Sequence, residues 1–189
     1  MALDKAKIQS SIKAIIEAIG EDVTREGLRD TPRRVADMYA ELFSGITMDP
    51  REVLKTGFEQ GYREMVIVKD IPFYSMCEHH LLPFYGEVHI GYIPDVKGRI
   101  VGISKLARVV EIVARRPQVQ ERMTTEIANA VMEGLKPSGV VVVVKAEHMC
   151  MIMRGVKKPG SSIVTSGIRG IFYENSAARA EFFSLIQTK

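Results

Sequence analysis

Five valines in a row, Val140 to Val144, do more than any other stretch to limit the folds open to this chain. Such a run marks a strand covered on both faces or held in a sheet between layers. Neighbouring segments supply the covering. Ile103 to Arg116 is amphipathic, with Ile103, Leu106, Ala107, Val110 and Val113 on one stripe and Ser104, Lys105, Arg108 and Glu111 off it. Pro117 breaks that helix, and Gln118 to Leu135 forms a second, with Met123, Ile127, Ala130 and Val131 inward. Met65 to Ile71 reads as a strand ended by Pro72. Tyr85 to Ile93 alternates, Val88, Ile90 and Tyr92 facing one way and Glu87, His89 and Gly91 the other. Pro94 to Gly98 is a turn into a short return over Arg99 to Gly102. A last strand falls within Ser162 to Tyr173, interrupted at Gly167 and Gly170, and a closing helix runs from about Asn175 to Ile186.

The first 45 residues are helical. Ile8, Ile12, Ile15 and Ile19 recur at helical spacing before Gly20. Thr31 with Pro32 opens a second helix carrying Val35, Met38, Tyr39 and Leu42 and ending near Gly45. A slender arm of this kind offers a contact surface to another subunit. Residues 46 to 63 read as a short helix within a linker. The order gives an α+β fold, a mostly antiparallel sheet covered by the central helix pair, with an N-terminal helical region over 1–62 and the main domain over 63–189. Gly155 to Gly160 lacks the spacing of either standard phosphate loop.

Composition narrows the partners. With 26 basic and 23 acidic side chains the net charge is +3, too balanced to point to nucleic acid, and the chain has no tryptophan for base stacking. No apolar run approaches the roughly 20 residues that span a bilayer. The start, Met1-Ala2-Leu3-Asp4-Lys5, is unlike a secretory signal. Two cysteines in such a chain fit a reducing, cytoplasmic compartment, with the thiols kept for metal or chemistry.

Both cysteines and three of the four histidines fall in two short windows, Cys77-Glu78-His79-His80 and His148-Met149-Cys150, about seventy residues apart. Cys77 and His80, three apart, can reach one ion from a turn, and Cys150 would be the third ligand. Two thiolates with an imidazole favour zinc, and three protein ligands leave a fourth position for water. Bound zinc lowers the pKa of its water to roughly 7. If the valine strand continues through Glu147, His148 and Cys150 point to one face, which sets a proton-moving histidine beside a ligand. His79 is a second such candidate, or a hydrogen-bonding support for His80. His89 reads as an ordinary surface or packing histidine. Two other readings stand on spacing alone: buried structural cysteines, and a closed zinc site with His79 or His148 as fourth ligand.

Cys77 to Phe84, Gly102 to Leu106, Arg115 to Arg122 and Glu147 to Met151, with Asp30 to Ala36 upstream, together resemble GTP cyclohydrolase I, the family that opens pterin and folate synthesis. The resemblance implies a tunnelling fold, an antiparallel sheet with a helix pair on one side, joined between subunits into a decamer of two face-to-face pentamers with active sites at subunit boundaries. It implies zinc on Cys77, His80 and Cys150, with His148, His79 and Ser104 catalytic. It places Glu121, helped by Gln120, on guanine, and Lys105, Arg108 and Arg154 around the ribose and triphosphate. A carboxylate accepts from both the ring N–H and the exocyclic amine of guanine, and guanidinium forks match phosphate oxygens. The implied reaction is hydrolysis of GTP at C8, loss of formate, and rearrangement to 7,8-dihydroneopterin triphosphate. A zinc-stabilised assembly protein without catalysis, or another tunnelling-fold enzyme acting on a pterin or purine ring, are the rivals.

Overall fold

The valine run lies inside the sheet, covered on both sides. The structure is a computed structural model that describes residues 3–188. In chain order the elements are α1 (Lys5–Ala18), α2 (Thr31–Leu42), 3-10 turns at Ser44–Thr47 and Pro50–Leu54, β1 (Phe58–Glu59), β2 (Val66–Cys77), β3 (Pro83–Ile93), β4 (Arg99–Ile100), α3 (Ile103–Ala114), β5 (Pro117–Gln118), α4 (Gln120–Leu135), β6 (Gly139–His148), α5 (Met149–Ile152), β7 (Ile163–Gly170), a 3-10 turn at Ile171–Tyr173, and α6 (Ser176–Gln187). Five strands form one sheet in the order β5-β2-β3-β6-β7, while β1 and β4 make a separate two-stranded ribbon. All neighbours in the large sheet are antiparallel except β5, which adds in parallel to the end of β2. This is the expected α+β arrangement.

Alternation along β6 divides the valines between two cores. Val140, Val142 and Val144 pack with Leu106, Val110, Ile127 and Val131 of the α3–α4 pair. Val141 and Val143 point the other way, against Phe172, Ala178 and Phe182 of the C-terminal segment. All five are buried. A fully buried side chain of this kind contributes about 1.5–3 kcal/mol. Tyr92, Ile90 and Val88 of β3 join the helix-pair core, as alternation requires. Thus α6 covers the face that the helix pair leaves open. His89, on that face, is buried and accepts a hydrogen bond at Nδ1 from the Asp70 backbone N–H at 3.1 Å, so it is a packing residue and not a surface one.

Three sequence expectations change. Pro72 does not end its strand: β2 runs on to Cys77, with a bulge between Val68 and Ile71 and Asp70 at φ 58°. Until Met76 the outer side of β2 has no sheet partner, and such an edge tolerates a proline that cannot donate to a ladder. Gly167 does not interrupt β7, which is continuous over Ile163–Gly170; it sits where the strand packs closely on α4, an added Cβ coming within 3.3 Å of the Thr124 carbonyl. The helix after Pro117 starts at Gln120, leaving Pro117 and Gln118 free to pair with Met76 and Cys77.

The residues before β1 are tied to the main core. Leu54 is wholly buried within it. Gly45 lies so close to α3 that a Cβ would sit 2.0 Å from the Ile112 carbonyl. Arg116 donates to the carbonyls of Gly45 and Met48, at 3.0 and 2.7 Å. The helices α1 and α2 stand further out: each has one buried residue, Ile16 and Ala36.

Candidate metal centre and its surroundings

The hairpin turn between β2 and β3 makes the first half of the centre. Cys77 closes it twice, donating its N–H to Leu82 O at 2.9 Å and accepting Leu81 N–H at 2.8 Å. Leu81 takes a left-handed backbone, φ 50°, at a cost of about 1–2 kcal/mol, and the turn is thereby tight enough to fold His80 back over Cys77. The Nδ1 atom of His80 lies 4.0 Å from the Cys77 sulfur.

Cys150 arrives from the end of the valine strand. β6 ends at His148, and Met149–Ile152 is a single helical turn, so His148 and Cys150 do not share a strand face as alternation suggested. The helical turn brings the second sulfur inward instead. Ligand atoms of Cys77, His80 and Cys150 all lie within 4.8 Å of one another, and no fourth acidic, histidine or cysteine side chain joins the group among the described residues. Both thiols are free. Burial pushes the Cys150 thiol up, the Cys77 sulfur beside it pushes the same way, and Arg154 opposes them. A divalent cation between the sulfurs would relieve both effects, because it favours the thiolate pair that burial and mutual repulsion resist. The donor set, two sulfurs and one imidazole, fits zinc.

Around this cluster the chain has built supports. Arg154 Nη1 lies 2.8 Å from His80 Nε2, on the side of the ring away from the thiols. The Arg122 guanidinium pairs with Glu78 in the turn and donates to the Gln118 side-chain oxygen at 3.0 Å. The Glu78 N–H donates to Gln118 O at 2.9 Å. The turn is thus fastened to the start of α4. His79 is exposed, its ring perpendicular to that of His80 with centroids 6.3 Å apart.

His148 is buried and stacked on Phe84, its cross-strand partner, with ring centroids 4.6 Å apart and planes within 6°. Burial lowers its proton affinity below the usual histidine range, and Glu121 nearby pulls the other way. Its Nε2 meets Gln120 Oε1 at 2.8 Å. Glu121 itself is exposed in the first turn of α4. One region therefore holds a three-donor metal cluster, a buried imidazole and an exposed carboxylate, with an arginine reaching the metal-side histidine.

The sequence profile described as GTP cyclohydrolase I matches residues 8–187. The chain belongs to the GTP cyclohydrolase I family. A GTP cyclohydrolase 1 of Dehalococcoides mccartyi is 68% identical over 186 residues, covering 98% of each chain. One from Carboxydothermus hydrogenoformans is 61% identical over 184 residues, covering 97% of this chain and 95% of the relative. A solved structure, the archaeosine synthase QueF-Like in the apo form, overlays 56% of this chain and 93% of its own at TM-score 0.45 and 21% identity.

For a GTP cyclohydrolase I family member, the residues expected at the site fall into two groups. Cys77, His80, Cys150 and Arg154 are together, and His148 is joined to Gln120 with Glu121 alongside. Ser104, Lys105 and Arg108 lie on α3, where Ser104 and Arg108 are exposed and none is hydrogen-bonded to the cluster. Arg108 lines a surface cavity of about 430 Å³ with Glu111, Arg115, Phe73 and Tyr74. Gln120, expected on guanine, has its amide taken up inside the protein: it is 1% exposed and bonded to Val144 O, Ile163 O, Thr165 Oγ1 and His148. Sequence reasoning assigned no role to Phe84, Arg122, Thr124 or Thr165. For Thr165 the available signal is weak, since it is one of two adjacent hydroxyls with Ser166 in β7; Arg122 and Gln118 stand in the matched motif without a spacing that reveals what they hold.

Proposed function

We propose that this chain hydrolyses and rearranges GTP to 7,8-dihydroneopterin triphosphate and formate. The observation that carries the reading is the three-donor cluster of Cys77, His80 and Cys150, set beside a buried histidine and an exposed glutamate in a chain of this family. These three residues would hold zinc, which when bound polarises the reacting centre and acidifies water. Glu121 accepts from N1–H and the 2-amino group of guanine, a pattern adenine does not offer. His148 moves the proton at the ring nitrogen next to C8 while the imidazole ring of the base opens. A second hydrolysis releases formate. The ribose then opens, rearranges in Amadori fashion and recloses as the dihydropterin ring, expelling one of the two waters taken up. Ser104 and His79 serve these later proton transfers. Lys105, Arg108 and Arg154 hold ribose and triphosphate, and the phosphates are not cleaved.

His80, Glu121 and Arg154 are on an open face of one chain. We propose that further copies close it, in a decamer of two pentamers with the active sites at subunit boundaries, which would also bring α3 residues of one subunit to the cluster of another. The free thiols fit a reducing cytoplasm, and among the described residues no helix is long and apolar enough to cross a membrane. The closed structural-zinc alternative finds less support, since His148 Nε2 is committed to Gln120 and the group has three members.

The reading is tested by incubating the zinc-loaded protein with GTP and following formate and dihydropterin fluorescence. Stoichiometric formate with the triphosphate intact is expected. Phosphate release without formate, or no turnover by the loaded protein, would contradict it.

A further inference from the structure

The amide of Gln120 can be oriented in one way only. Its nitrogen lies 3.0 Å from each of two backbone carbonyls, Val144 O and Ile163 O, which can only accept. The Nε2 end must therefore face them, and the oxygen must face His148 at 2.8 Å. An amide oxygen can only accept, so the His148 Nε2 carries a hydrogen. The surrounding hydroxyls reinforce the choice. Thr124 Oγ1 donates to the Gln120 carbonyl at 2.8 Å, which spends its hydrogen. The Thr165 hydroxyl, 2.7 Å from Thr124 Oγ1, must then donate to it, and its own lone pairs face the Gln120 amide at 3.1 Å. Three elements, α4, β6 and β7, thus close one network around a single side chain. The other nitrogen of His148 is left over. Nδ1 has no hydrogen-bond partner among the described residues, and it is not a sealed atom, since Arg99 Nε is the one buried side-chain polar atom among them without a partner.

We infer that Gln120 is a positioning residue that holds His148 with the proton on Nε2, making Nδ1 the nitrogen that exchanges a proton with the substrate. Its part at the base is indirect: it aims the histidine and does not touch guanine through its side chain. The substrate half of this inference rests on the GTP reading; the tautomer half does not. In the reaction the proton given up by the attacking water is the one Nδ1 accepts and then returns to the ring nitrogen next to C8, so His148 ends as it began. Phe84, stacked flat on the ring, keeps it in the plane this exchange needs.

The test has two arms. Solid-state ¹⁵N–¹³C correlation spectra of histidine-labelled, zinc-loaded wild type, with His148 identified by the signals lost in H148N, should show a protonated Nε2 and a bare Nδ1. A protonated Nδ1 with a bare Nε2 would overturn the inference. In the second arm Gln120→Met, which keeps length but neither donor nor acceptor, should lower kcat on the order of a hundredfold with zinc content and the KM for GTP unchanged. A raised KM with kcat unchanged would mean that Gln120 binds the base directly, and would overturn it. The wild-type spectrum decides the tautomer even if Q120M does not fold. Wild type that makes no formate would sink the GTP reading, while the spectrum still judges the tautomer on its own.

Discussion

At the scale of single residues the account depends on where three donor atoms are and what holds them. Replacing Cys150 by alanine should abolish zinc retention and formate release together; metal analysis and formate assay on the same preparation check this, and full activity in zinc-free C150A would contradict it. Sequence spacing made Cys77, His80 and Cys150 candidate ligands, because a three-residue separation on a turn lets Cys77 and His80 reach one ion, but it left structural readings open beside that one. Spacing also made His148 a candidate, but it did not show how the ring is held. What orients that ring is Gln120 from one helix and Thr165 from a distant strand, and no local pattern encodes such a meeting. Tyr92 gives a test of burial unconnected with the chemistry. Desolvation raises its phenol above the ordinary value of 10.0, against a smaller opposing effect of the Val101 N–H that it accepts. The folded chain therefore keeps a proton that the unfolded chain gives up, so stability is intact below pH 10 and is lost as pH rises through the folded value. The melting temperature of Y92F should fall less steeply than that of wild type above pH 10; parallel alkaline slopes would show that Tyr92 is not held in this way.

At the scale of elements, the sheet positions the site by bringing the end of β6 against the start of β3. Phe84 pairs with His148, and two residues further on Gly86 pairs with Ala146. The approach is so close that a Cβ on Gly86 would sit 1.9 Å from the Lys145 carbonyl. Gly86→Ala should therefore cost about 1–3 kcal/mol by forcing the strands apart, seen as a lower urea midpoint; an unchanged midpoint would show that the strands can give way freely. Periodicity revealed most of these elements. The five-valine run announced a strand with two covered faces, and the α3 stripe announced its partner. Periodicity failed where an element's limits depend on neighbours. Pro72 is compatible with β2 because that side of the strand is an open edge, which the sequence around it does not say. The one-turn helix that carries Cys150 is too short to show a period, so alternation from the valines was extended two residues too far.

At the scale of the whole molecule, the helix-pair core runs the length of the sheet, from Leu54 and Leu135 to Phe84 and Cys77, and the metal cluster sits at one margin of it. A core of that extent should hold the chain folded without the ion, which separates a catalytic site from a structural one. The N-terminal arm leaves Ile15 of α1 and Ile19 just after it exposed, at 54% and 71%. The number of subunits in an assembly is a matter of angles between copies, and local sequence carries little of that information. The central claim, that zinc on Cys77, His80 and Cys150 drives the opening of GTP, is tested most directly by a metal titration. Protein stripped by a chelator is followed by circular dichroism and by formate release as zinc is returned in measured steps. The account predicts a folded, inactive protein whose rate climbs in proportion to bound zinc and levels off at one ion per chain. Formate released at the full rate before any zinc is added, or unfolding on metal removal, would contradict it.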